Sequence, residues 1–298
     1  MRRKLAETLV DFADKDPSVV FITADLGFGV FDEFREKFPD RYFNVGIAEA
    51  GMVTLAAGLA SEGWKPYVYS IASFLLPKTY EQIRLLLAHN ENKVVIIGAG
   101  GGFAYSMSGP SHHALDDLSL ALLIPGMNVF APSGPQALVE SLRTSYESTC
   151  SSYIQIGKFG EPDVPAVLDS KDSEFAIVSL GIIANDVFEL LQRIPEAESK
   201  IGFLNMNQIN PLPTEKLEKF LTNKKRVVAI EETWGKLSLY SLLREFCEAS
   251  NFEIELLRVG PKHQIFDENL ERETRLTNMG LSVENIRHLL FISKGVMS

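Results

Sequence analysis

Short apolar runs alternate with amphipathic stretches along the whole chain. Val19–Thr23 (VVFIT), 42–45, 66–71 (PYVYSI), 93–97 (KVVII), 127–131 and 153–156 read as the strands of a first unit. Phe175–Leu180, 202–206, Arg226–Ile230 and 254–259 read as the strands of a second. The stretches between them carry helical spacing. Leu5, Leu9 and Phe12 share one face of an N-terminal helix, and further helices are predicted over 30–37, 48–61, 185–193, 215–221 and Leu239–Ala249. Thr214 is the expected N-cap of 215–221, and 282–285 opens a last helix. Strands alternating with helices imply parallel sheets covered on both faces. The fold class is therefore α/β: two three-layer α/β/α domains, the first with a parallel sheet, the second smaller and mostly parallel. Between them, 159–172 (FGEPDVPAVLDSKD) holds two prolines and four acids without hydrophobic period, and reads as a linker. The domains are expected over 1–160 and 173–298.

Composition narrows the class. The 298 residues suit two α/β domains, and 46% hydrophobic residues suffice for two cores. No apolar run reaches membrane-spanning length, and the charged N-terminus (MRRKLAETLVDFADKD) lacks the apolar segment of a signal peptide. A net charge of −10 without a Lys/Arg-rich tract gives nucleic-acid binding no electrostatic support. Cys150 and Cys247 stand outside any metal spacing, and read as reduced, buried thiols of a cytoplasmic protein.

Strands of open α/β sheets point their carboxyl ends at a ligand crevice, so acids just past such ends draw attention. Glu49 falls in the first turn of a helix otherwise built of Ala, Gly, Met, Val and Leu. It serves either the helix dipole alone or a ligand; a carboxyl group among such neighbours calls for a partner. Asp25, after the first strand, either caps a turn or edges the crevice. Gly98-Ala99-Gly100-Gly101-Gly102 is not a dinucleotide fingerprint, because the last glycine of that pattern falls at Phe103. It marks a permissive backbone near a ligand or a neighbouring chain.

The run Asn44-Val45-Gly46-Ile47-Ala48-Glu49, with Met52 and Ala56-Ala57-Gly58-Leu59-Ala60, resembles the pyrimidine-domain signature of transketolases. The related 1-deoxyxylulose-5-phosphate synthases have a similar run. The resemblance implies a thiamine diphosphate cofactor with Glu49 at N1′ of its aminopyrimidine, favouring the tautomer that takes the thiazolium C2 proton. Ala50-Gly51 departs from the family's Gln-Asn or Gln-His. Ala24-Asp25-Leu26 is similar to a tripeptide the family places beside the cofactor, which assigns Asp25 and Leu26 there. Phe74 stands where family members stack an aromatic ring on the aminopyrimidine, and Tyr80 at the spacing of another; Pro77 replaces the one between. Ordinary core packing is the alternative for both rings. Gly109-Pro110-Ser111-His112 resembles the transketolase Gly-Pro-Thr-His, which turns His112 toward the reacting centre as donor and proton carrier. His113 is read as a neighbour without a direct role. In the second half, Glu231-Glu232, Arg258-Val259-Gly260 and 280–286 are similar to the transketolase C-terminal domain, without the usual Gly-Gly-Leu-Gly after the paired glutamates.

The Gly-Asp-Gly motif that holds the diphosphate and Mg²⁺ in this family does not occur in the sequence. The resemblance covers essentially the whole chain but only the C-terminal half of the usual enzyme. It implies a separate N-terminal subunit that carries the diphosphate and Mg²⁺, in an α2β2 heterotetramer, with no metal ligands on this chain. The implied reaction moves a two-carbon ketol unit from a ketose donor to an aldehyde acceptor. The alternatives are the beta subunit of a pyruvate-type 2-oxoacid dehydrogenase and a non-catalytic partner that keeps the fold. For the sugar or sugar-phosphate substrate, Arg3 stands near a family arginine and Ser108 at the position of an acid that reads a sugar hydroxyl. Gly29, Gly100 and Ile156 replace family donors. Glycines there imply a wider crevice and a substrate other than the usual short sugar phosphates, with Lys78 or Lys158 as the cations that would otherwise compensate.

Overall fold

The computed structural model describes residues 1–158, 162–168, 173–194 and 201–291. In chain order its strands are β1 (Val19–Thr23), β2 (Tyr42–Asn44), β3 (Lys65–Ile71), β4 (Val95–Ala99), β5 (Asn128–Phe130) and β6 (Ser152–Ile156). They continue as β7 (Val167–Leu168), β8 (Phe175–Leu180), β9 (Ile201–Met206), β10 (Gln208–Asn210), β11 (Arg226–Ile230) and β12 (Glu255–Val259). Seven form one sheet, in the order β10-β5-β6-β4-β3-β1-β2, parallel except at β10–β5. Five form a second, β12-β11-β8-β9-β7, parallel except at β7–β9.

Burial explains the unalternating apolar runs. Every residue of β1, β4 and β6 is buried, as expected of strands covered on both faces. The N-terminal helix Arg2–Lys15 covers one face of the first sheet with Leu5, Leu9 and Phe12, against Phe21 and Tyr67. On the other face, Met52, Val53 and Ala56 of the helix Glu49–Ser61 join a cluster that continues through Met127 and Tyr153 into Ala176, Leu204 and Val227 of the second unit. The two units thus share one apolar core.

Several expectations need correction. The segment 159–172 is more than a linker: within it Val167–Leu168 is the β7 edge strand; 159–161 and 169–172 lie outside the described residues. β10 comes from the C-terminal half yet pairs with β5 of the first sheet; with Ile209 its one buried residue, it has no period to read. Thr214 is the first helical residue, behind Pro213, and makes no cap bond. β4 runs on through Gly98 and Ala99, because a side chain at Gly98 would overlap the Tyr153 hydroxyl. Cys247 is buried, but Cys150 is exposed. Among the described residues, no helix is long and apolar enough to cross a membrane.

Candidate active site

The carboxyl ends of β1, β2, β3, β4 and β6 open onto one edge of the first sheet, and the predicted site residues follow those ends. After β1, Thr23 Oγ1 donates to the Leu26 carbonyl at 2.8 Å and shapes the turn. Asp25 there adopts φ +50°, and its N–H donates to Asn44 Oδ1 at 3.0 Å. The same Asn44 oxygen accepts the Gly46 N–H at 3.0 Å. One amide side chain thereby ties the β1 turn to the turn that launches Glu49. The Asp25 side chain is exposed and Leu26 is half-buried.

Glu49 opens the helix Glu49–Ser61 and is only 6% exposed. Its carboxylate sits at the positive end of the helix dipole. Its partner is the Lys78 ammonium, 3.6 Å from Oε1. Lys78 lies one turn beyond Phe74 on the helix Ala72–Gln82, with its Nζ 4.4 Å from the centroid of the Phe74 ring. The half-buried Phe74 also meets His112 edge to face, with centroids 4.9 Å apart. A buried carboxylate, an aromatic face and an imidazole therefore converge, with one exposed cation between the first two. Tyr80, further along that helix, packs against the apolar core rather than into this group.

His112 lies at the end of a short 3-10 turn, Pro110–His112, in the loop after β4. Ser111 Oγ is 3.0 Å from its Nδ1 and can fix its tautomer. The loop neck is closed by a two-bond bridge between Gly102 and Ala114. His113 is buried and bonded through Nε2 to the Ser106 carbonyl at 3.1 Å. Burial lowers its pKa, and the charges of Arg275 and His112 push the same way. It is uncharged at neutral pH and donates that bond.

Tyr105 is a site residue that sequence reasoning missed. A side chain at Gly100 would overlap its ring, so the phenol fills the place the glycine vacates. The crevice is therefore not widened at Gly100, whereas Gly29 does face open space. The Lys158 ammonium lies 4.3 Å from the Tyr105 centroid, and His112 6.1 Å from it. Burial raises the Tyr105 pKa, the Arg2 charge opposing, so it stays a hydroxyl donor at neutral pH. Arg2, half-buried, is the arginine whose charge reaches this ring, whereas Arg3 is exposed on the outer side of the first helical turn. Ser108 is exposed, its N–H bonded to the Tyr105 carbonyl at 2.9 Å. The other glycines of the run also make room for side chains: Gly101 for Gln155 and Gly102 for Glu232. A glycine-rich loop against large polar residues was the available signal, but its partners are remote in sequence.

Deeper in the same edge, Asp117 is fully buried. It accepts from the Tyr153 hydroxyl at 2.5 Å and from Gln155 Nε2 at 2.8 and 2.9 Å. Burial pushes its carboxyl up to about 6, against these donors. Among the described residues, no group of three His, Cys, Asp or Glu side chains is placed to hold a metal ion.

The residue set fits an aminopyrimidine: the carboxylate matches a ring nitrogen and Phe74 matches the ring face. Comparison with known proteins agrees. Residues 1–156 match the transketolase pyrimidine-binding-domain model, and 173–253 match pyruvate:ferredoxin oxidoreductase core domain II. One of the two subunits of the apulose-4-phosphate transketolase of Phocaeicola vulgatus is 27% identical over 287 residues, covering 89% of this chain and 91% of that protein. A 1-deoxy-D-xylulose-5-phosphate synthase of Methylacidiphilum infernorum is 31% identical over 94% of this chain, which spans only 46% of that enzyme. A solved structure described as a split gene transketolase, an inactive beta4 tetramer, superposes with a TM-score of 0.81 at 27% identity, covering 96% of this chain and 94% of its own. The pyrimidine-domain match, over more than half of the chain, places this protein in the transketolase family.

Proposed function

We propose that this chain is the C-terminal subunit of a split, thiamine diphosphate-dependent transketolase, and that a separate chain supplies the diphosphate and Mg²⁺ site. Glu49 carries the reading: a buried carboxylate in the first turn of an apolar helix, at the carboxyl edge of a parallel sheet, facing an aromatic ring. Bound thiamine diphosphate supplies a thiazolium carbon that takes a two-carbon ketol unit from a ketose and passes it to an aldehyde. Glu49 hydrogen-bonds the pyrimidine ring nitrogen, and in doing so exchanges the Lys78 ammonium for the ring. Phe74 forms the wall on which the ring lies. His112, oriented by Ser111 and Phe74, donates to substrate oxygens and moves protons there. Asp25 and Leu26 border the cofactor through the turn that Asn44 holds.

The need for a partner rests on the absent Gly-Asp-Gly motif and on the surface around Glu49. Ile47 and Phe28 are 81% and 69% exposed, and Leu55 of the same helix is exposed as well. The relative from Phocaeicola vulgatus, named as one subunit of its enzyme, and the solved beta4 tetramer called inactive support the same arrangement. An α2β2 heterotetramer in the cytoplasm, with a pyrimidine-binding domain over 1–160 and a transketolase C-terminal domain over 173–298, is the form proposed. Arg2, Lys78 and Lys158 around Tyr105 and His112 favour an anionic sugar, a phosphorylated one included. The match of 173–253 to an oxidoreductase domain favours a second reading, a subunit acting on a 2-oxoacid; release of carbon dioxide from pyruvate by the complex would select it.

Calorimetry on the purified chain tests the split-site reading. Thiamine diphosphate with Mg²⁺ should show no tight binding until a partner chain is added. Tight, Mg²⁺-dependent binding by the chain alone would refute it.

A further inference from the structure

The loop that carries His112 is gripped from the second unit. The Phe103 N–H donates to Glu232 Oε1 at 3.2 Å. The Phe103 ring meets Phe266 edge to face at 5.3 Å, and the Arg275 guanidinium lies 5.3 Å from its centroid and 5.5 Å from that of Phe266. Ser106, 3% exposed, receives the Arg275 Nε donor on its hydroxyl at 2.6 Å and donates that hydroxyl to the Leu270 carbonyl at 2.6 Å. Arg275 itself is 5% exposed and also donates to the Glu268 carbonyl. Behind this contact, Arg272 binds both oxygens of Glu232 and both of Asp186, at 2.7 to 3.1 Å. Burial raises the Glu232 pKa and Arg272 opposes it, so the pair fixes the carboxylate that holds Phe103.

A buried guanidinium bonded to a hydroxyl and a carbonyl, and stacked on two rings, is a costly arrangement for packing alone. Its bonds end on Phe103 and Ser106, a few residues before His112, and Ser106 in turn anchors His113 through its carbonyl. We propose that the second unit sets the geometry of the His112 loop through Arg275, Ser106 and Glu232, which makes these three positioning residues of the site. This rests on the role given to His112 above. None of the three faces the crevice; they act through the loop.

Hydrogen exchange by mass spectrometry on the full chain tests it. The N–H groups of Ser106, Ser108 and His112 bond within the loop and report its closure. In Ser106→Ala, exchange over 103–113 should rise about tenfold or more, while β1 and β4 keep their protection. Ser106→Thr, which keeps the hydroxyl, should restore protection. Arg275→Lys should resemble Ser106→Ala; if it unfolds, the Ala and Thr pair still decides. Wild-type protection of the loop in Ser106→Ala, or failure of Ser106→Thr to rescue, would overturn the proposal. Exchange reads the grip whatever chemistry the site performs, whereas substitution of Glu49 reads the chemistry alone, so the two ideas fail separately.

Discussion

Gly100 and Tyr105 show why some site residues escape a linear reading. The glycine looks like lost substituents when the chain is laid beside a family, yet its space belongs to a phenol five residues on. Glu49 and His112 were legible because each sits in a run of residues that no fold requirement alone would produce. Arg2 and Lys158 were not, because their relevance arises only where a helix start and a strand end meet. Asp117 is a similar case, an ordinary helix-start acid in sequence and a fully buried carboxyl in the fold. Its folded-state pKa, about 6, lies above the ordinary 3.8. Between these values the native state holds a proton the unfolded chain has released. Its contribution to stability is therefore full below 3.8 and lost as pH rises through about 6. Thermal midpoints of wild type and Asp117→Asn across this range isolate it. Wild type should lose up to about 3 kcal/mol relative to the variant on going up through the window. Parallel curves would show that Asp117 does not titrate there.

Among the elements, buried strands were the most legible. β1, β8 and β11 have the bounds that their apolar runs predict, because a strand covered on both faces has no polar position to blur it. β10 and β7 were not legible, since an edge strand of two or three residues is made by its partner rather than by its own pattern. The helix Glu49–Ser61 has another kind of legibility. It buries Met52, Val53 and Ala56, while its opposite side, Gly51, Leu55 and Gly58, is also without charge and lies exposed. A helix apolar on all sides belongs in an interior, so that second side is predicted to be covered in the assembly. Leu55→Asp should leave the fold of the isolated chain within about 0.5 kcal/mol of wild type. It should weaken association with the partner chain about tenfold or more, measured by sedimentation. Unchanged association would place the partner elsewhere.

For the molecule as a whole, the shared core and the grip on the His112 loop make one device of two units. The first presents a carboxylate, an aromatic wall and an imidazole at one sheet edge, and the second holds the loop that bears the imidazole. The order of the strands along the chain and the two-unit plan were legible from alternation alone; the joining of the units was not, because contacts such as Arg275 to Ser106 span more than half of the chain. The central claim is that Glu49 activates the cofactor of a site completed by another chain. It is tested most directly by NMR of hydrogen–deuterium exchange at C2 of thiamine diphosphate bound to the assembled complex, wild type against Glu49→Gln. The account predicts exchange slower by about 10²-fold or more in the variant, with folding, assembly and loop protection unchanged. Exchange at the wild-type rate in Glu49→Gln would contradict it.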